Sequence, residues 1–205
     1  MSRIGGEHSP KRRRSAEESR EHVLDVAHEL FYWTGIRATG VDRVAAAAGI
    51  APTALYRLFP SKDALVSAYI GRAERRYREW FDEAAKAEGS PAERIQRLFA
   101  ALAEQVQPER CRGCPFLMVL SEFPEAEVEA HRIAVRLKRW VRTRFRQLAK
   151  ELGSAGIDGA ADPAQLADHL TLLFEGVYAS VQALGNDGPA KQAQKLVAAL
   201  IGERP

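Results

Sequence analysis

Between Gly35 and Leu65 the chain reads GIRATGVDRVAAAAGIAPTALYRLFPSKDAL, and few folds accommodate that order of signals. Two short segments with helical apolar spacing flank Gly49. Pro60-Ser61 then breaks the second segment and caps a third helix start. A short helix, a glycine turn and a second short helix make the helix-turn-helix unit, whose second helix enters a DNA major groove. In that second helix Pro52 suits the first turn, where its missing N–H would be unpaired anyway. Leu55 and Phe59 are four apart and face inward, so Pro52, Thr53, Tyr56 and Arg57 share the outward face.

The rest of the chain is also helical in pattern. No sustained two-residue alternation and no Asn-Gly hairpin signal occurs, which predicts an all-α protein. The periodicity predicts nine helices: 16–34, 41–48, 52–59, 62–86, one carrying Ile95 to Val106, 116–123, 125–152, 163–184 and 189–201. Residues 1–15 read as a flexible basic arm, 16–62 as the helix-turn-helix domain and 63–205 as a C-terminal domain, with the fourth helix belonging to both. Gly153 to Asp162 reads as a loop.

At 205 residues the chain has room for such a small domain and a larger one. No apolar run approaches the roughly 18 residues that span a bilayer, and the basic N-terminus lacks the apolar stretch of a secretory signal. Two cysteines cannot form a disulfide framework, so a reducing, cytoplasmic setting is expected. The net charge of +3 is uneven: residues 1–80 hold 14 Lys/Arg against 10 Asp/Glu, and the remainder 16 against 17. The excess sits with the helix-turn-helix and weakly favours a polyanionic partner. Lys11-Arg12-Arg13-Arg14 reads either as an arm for phosphates or a minor groove, or as a solvated tail.

From Phe31 to Leu65 the chain resembles the tetracycline-repressor family of transcriptional regulators. The resemblance rests on an aromatic and Gly35 closing the first helix, Val44-Ala45, Gly49, Leu55-Tyr56, Phe59, Pro60-Ser61-Lys62 and Leu65. Cys-Pro-Phe at 114–116 and Glu-Gly at 175–176 add to it. The resemblance implies an all-α homodimer that binds a palindromic operator on double-stranded DNA, with a small-molecule effector entering the C-terminal bundle and releasing the DNA. It implies no enzyme activity and no cofactor. Tyr56 and Lys62 match phosphate-gripping positions, and Lys62 lies at a helix N-terminus, which suits an anion. Thr53 and Arg57 are candidates for base edges, because a guanidinium can bond guanine O6 and N7 together. Thr39, Gly40, Arg43 and Pro52 complete the expected DNA face. Three departures stand out: Gly40 replaces the usual hydroxyl, leaving Thr39 as a possible cap; Thr53-Ala54 replaces Gly-Thr; and Leu58 replaces a frequent histidine. These affect the operator sequence rather than the fold.

In the C-terminal domain Trp80, Phe99, Phe116, Phe123, Trp140, Phe145, Phe174 and Tyr178 make core, and all but Phe145 are candidates to line a cavity for a largely apolar ligand. The resemblance places the dimer interface on the last two helices, and their apolar bands assign Leu166, Leu170, Leu173, Val177, Val181, Ala193, Leu196, Val197 and Leu200 to it. Cys111-Arg-Gly-Cys114 supplies half the ligands of a structural zinc site, with no second pair and scattered histidines, so no metal is expected. The pair reads either as a thiol switch or as a buried thiol beside a loop thiol. No Gly-rich phosphate loop, His-Glu-x-x-His or Gly-x-Ser-x-Gly element is present in the sequence.

Overall fold

The computed structural model describes residues 14–86, 88–154 and 162–202. Among these, nine α-helices and two short 3-10 turns account for the regular structure, with no strand. They are α1 (Ala16–Thr34), α2 (Val41–Ala47), α3 (Pro52–Leu58), α4 (Lys62–Ala84), α5 (Pro91–Gln105), α6 (Pro115–Glu122), α7 (Glu129–Ser154), α8 (Pro163–Leu184) and α9 (Ala193–Leu200).

Local chemistry explains most boundaries. Ser15 and Ser90 form reciprocal capping boxes with Glu18 and Glu93, while Ser61 and Asp162 cap α4 and α8 through side-chain oxygens. Gly35 ends α1 at φ 104°, a conformation that L side chains rarely adopt. Two starts differ from expectation. Pro124 to Val128 makes a turn, closed by Val128 N–H on the Glu125 carbonyl, before α7 begins at Glu129. Residues Pro189–Gln192 form a 3-10 turn, in which the Ser180 hydroxyl accepts from the Ala190 N–H, and α9 begins at Ala193.

Two cores share α4. In the N-terminal three-helix unit Val23, Ala27, Phe31, Val44, Ala45, Leu55 and Phe59 are buried together, closed below by Leu65 and Val66 of α4. The small Val44-Ala45 seam lets α2 approach α1 closely. In the bundle, α7 packs along both α8 and α4, and α5 closes the side. Its centre is aromatic: Phe81 lies between Trp140, Phe145 and Phe174, with ring centroids 5.2, 5.6 and 6.2 Å away. The first two are edge-to-face, an arrangement that adds to the burial of the rings themselves.

The two units are clamped by polar contacts that span the chain. Glu122 at the end of α6 accepts from the Ile36 N–H at 3.0 Å and the Arg37 N–H at 2.6 Å. The Tyr32 hydroxyl donates to the Gly113 carbonyl and accepts from the Arg112 N–H. Burial raises this phenol to about 12, so it remains a donor. Arg72, 4% exposed on α4, holds Glu21 and Asp25 of α1 at 3.0 and 2.8 Å.

Candidate nucleic-acid interface

The turn between α2 and α3 depends on Gly49 at φ 66°, after which Ala51 and Pro52 start α3. Leu55 is fully buried against α1 and Phe59 nearly so, which fixes the rotation of the helix. Pro52, Thr53, Tyr56 and Arg57 are consequently exposed on one ridge, with Tyr56 48% exposed despite its large ring. Ala54 and Leu58 flank the ridge and are half-buried. The Leu58 carbonyl accepts from Arg20 of α1, whose guanidinium lies 4.3 Å over the Phe59 ring, so α3 is held at both edges.

Around the ridge, Gly40 is exposed at the N-cap of α2 and Arg43 is exposed one turn on. Lys62 starts α4, behind the Ser61 cap, and its ammonium donates to the Arg37 carbonyl at 3.3 Å. Arg57, Arg43 and Arg37 are all exposed, and Arg14 is exposed before α1. The remaining basic arm residues, Lys11 to Arg13, lie outside the described residues.

Thr39 is a correction. It is 0% exposed and its hydroxyl donates to the Gly35 carbonyl at 2.7 Å, so it neither caps α2 nor faces a duplex. A threonine hydroxyl four residues past a helix end has a backbone carbonyl within reach, and that local bond wins over capping. Arg37 is the residue that pattern reading missed. It stacks over Phe123 with 5.0 Å from guanidinium carbon to ring centroid, and its Nε donates to the Glu122 carbonyl.

Phe123 is therefore placed at the joint between the units, away from the aromatic centre, and this corrects its assignment to an effector pocket. Trp80, Trp140, Phe174 and Tyr178 pack ring against ring in the bundle. Phe99 forms part of the floor of a cleft of about 620 Å3 between α5 and α9, and Phe116 lines a cavity of about 280 Å3 beside α1, α4 and α6.

The expected dimer face needs a larger correction. Leu166, Leu170, Val177, Val181, Ala193 and Val197 are at most 7% exposed, packed in the chain's own core, so they offer little surface to a second molecule. Leu173 and Leu200 are half-buried against that core. Leu196 remains, 51% exposed, and it is joined on α8 by Leu172 at 72%.

Both cysteines are buried as free thiols. Lys138 donates to both Glu175 oxygens at 2.7 Å and to Cys114 Sγ at 3.1 Å. Burial pushes the Cys114 thiol up in spite of that ammonium, which disfavours the reactive thiolate. The arrangement supports packing over redox sensing. Among the described residues no three His, Cys, Asp or Glu side chains converge as a metal site, and no helix is long and apolar enough to cross a membrane.

Comparison with known proteins agrees with this geometry. Residues 23–69 match the model for bacterial regulatory proteins of the tetR family, and residues 91–197 match that for the tetracyclin repressor-like C-terminal domain. The HTH-type transcriptional regulator AcrR of Shigella flexneri is 31% identical over 109 residues, covering 50% of this chain and 48% of AcrR. The HTH-type transcriptional repressor KstR2 of Mycobacterium tuberculosis is 36% identical over 92 residues, covering 43% and 44%. The alignments thus span about half the length of these two relatives. A TetR-family regulator from Streptomyces coelicolor, SCO4454, superposes with a TM-score of 0.82 at 24% identity, covering 90% of this chain and 95% of that one. The two family models together take in both the helix-turn-helix and the bundle, and the chain belongs to the tetracycline-repressor family of transcriptional regulators.

Proposed function

We propose that the chain is a homodimeric, ligand-responsive repressor that sets two α3 helices into successive major grooves of a palindromic operator. The observation that carries this reading is the ridge of Thr53, Tyr56 and Arg57, exposed side by side while Leu55 and Phe59 lock the opposite face. A two-fold dimer matches a palindrome because each half-site meets an identical ridge one helical turn away. Tyr56 and Lys62 take phosphates, with Gly40, Arg43 and Pro52 flanking, and Arg57 and Thr53 take base edges.

The dimer face in this reading is the outer side of α8 and α9. Leu172, Gly176, Ala179 and Ala183 are exposed at spacings of four, three and four, the register of one helix seam, and Leu196 and Ala199 of α9 are exposed too. Small residues there permit close helix approach, and Leu172 supplies an apolar knob. The effector is a small molecule bound by the C-terminal domain, and its entry lowers operator affinity in the cytoplasm. The aromatic side chains of the bundle support a ligand with apolar surface.

Electrophoretic retardation on fragments upstream of the chain's own gene is the test. A palindromic fragment should be shifted with two chains per site. Failure to shift any such fragment more than random duplex at physiological salt would falsify the reading.

A further inference from the structure

The cavity of about 280 Å3 lies where the helix-turn-helix unit meets the bundle, and its walls differ in character. One side is cationic, formed by Arg72 and Arg76 one turn apart on α4. The other is largely aromatic, formed by Tyr69, Tyr77 and Phe116, with Ala73 between and Gln105 and Pro115 beside them. His28 of α1 closes the rim and stacks on Tyr32 at 5.6 Å. Burial pushes the His28 imidazole down; Glu29 opposes this, and Arg72 and Arg76 reinforce it. The imidazole is accordingly neutral at neutral pH, so the positive charge of the site comes from Arg72 and Arg76.

Arg72 is buried, yet its fork is used on one side only. The bonds to the Glu21 carbonyl, Glu21 Oε2 and Asp25 Oδ1 all run through Nη1. Among the described residues, Nε and Nη2 make no hydrogen bond, and neither is sealed from solvent, so both donors are open to an incoming acceptor. Arg76 reaches Asp25 only at 3.9 Å. The cleft between α5 and α9 is larger, but its cations differ: Arg97 already donates to the carbonyls of Ala84, Lys86 and Glu88, and Lys195 is exposed on α9 rather than buried.

We propose that this cavity binds a small organic monocarboxylate with a flat apolar body, its carboxylate on Arg72 and Arg76 and its body against Tyr69, Tyr77 and Phe116. The site rests on the ligand-responsive reading above and moves the effector from the bundle centre to the domain joint. A cavity of roughly 150 Å3 accepts benzene, so the volume here suits a ring bearing a carboxylate and excludes a nucleotide. The consequence for DNA follows from Arg72, which ties α1 to α4 through Glu21 and Asp25. A ligand carboxylate shares that charge and loosens α1, the helix on which α2 and α3 are packed.

Isothermal titration of the full chain with benzoate, and with benzamide as its neutral isostere, tests the site. Benzoate should bind at least about ten-fold tighter, as expected when a charged partner is removed from a hydrogen-bonded pair. Arg76→Gln, at an exposed rim position, should lower benzoate affinity by about ten-fold. Ala73→Met, which fills the cavity, should abolish binding while keeping a cooperative melt. Arg97→Gln in the other cleft should change nothing. Asp25→Asn should tighten benzoate, because a competitor for Arg72 is weakened; a merely structural role for Asp25 would not do this. Benzoate should also release a bound operator fragment from the parent and not from Ala73→Met. Equal binding of benzoate and benzamide, unaltered binding by Ala73→Met and Arg76→Gln, or no benzoate binding each overturns the site. A chain that shifts operator yet ignores benzoate refutes this site alone. One that binds benzoate as described but shifts no promoter fragment supports the site and refutes the regulator reading.

Discussion

At the scale of single residues, position in the fold decides what a charge can do. Lys62 and Arg57 are both basic and both near the ridge, but one belongs to a helix start and the other to the exposed last turn of α3. Lys62→Ala should weaken operator and random DNA alike and reduce the salt slope by about one, whereas Arg57→Ala should cost about 1–3 kcal/mol at one base pair and relax specificity there. Binding measured over a salt series on operator variants separates the two. Glu74 illustrates burial of an acid. Burial alone would push its carboxyl up, but hydrogen bonds from Arg136 of α7 and Arg78 outweigh this and hold it below the usual carboxylate range. A depressed folded value stabilises the native state fully above the ordinary glutamate range and loses that contribution as pH falls through the lowered value. Glu74→Gln should therefore lose about 2 kcal/mol near pH 7, and the two melting curves should converge in acid. A gap in Tm that persists below pH 3 contradicts this account. Thr39 shows the limit of reading such residues in isolation, because capping and back-bonding are both open to a threonine and the nearest carbonyl decides.

At the scale of elements, the helix-turn-helix was legible because its information is local. The distance from Gly49 to Pro52, the four-residue step from Leu55 to Phe59 and the Ser61 cap all act within one or two turns. The placement of that unit against the bundle was not legible. It depends on Glu122 with Ile36 and Arg37, and on Tyr32 with Arg112 and Gly113, pairs some 80 or more residues apart. No periodicity records a partner at that separation. Tyr32→Phe should cost about 1–3 kcal/mol, since it leaves the Gly113 carbonyl and the Arg112 N–H without their partner in a largely buried setting. Chemical denaturation would reveal it as a lower midpoint at unchanged slope. Gly113 itself sits at φ 131°, a conformation that L side chains rarely adopt, so a substitution there is strained.

At the scale of the molecule, α8 is apolar on more than one face, and this separates fold from assembly. Its inner residues, Leu170, Phe174, Val177 and Val181, serve the chain's own core, while Leu172, Gly176 and Ala179 are left outside. Val177→Glu should unfold the chain, because it puts an unpaired charge into the core. Gly176→Leu should behave differently: nothing lies within 4 Å of a Cβ built there, so the single chain tolerates the change. If two copies meet across this face, Gly176→Leu should give folded monomers in sedimentation, with operator affinity reduced accordingly. A folded Gly176→Leu dimer would place the interface elsewhere.

Taken alone, the sequence determined the helical class, the order of nine helices and the outward ridge of α3, because each depends on short-range spacing and on signals a few residues apart. Tertiary structure decided which apolar face of α8 is core, where Thr39 and Phe123 point, and that Arg72 is a buried tie between α1 and α4. Periodicity reports only that a face is buried. Whether the burying surface is the chain's own bundle or a second molecule is a matter of three-dimensional packing, to which both answers contribute the same apolar residues.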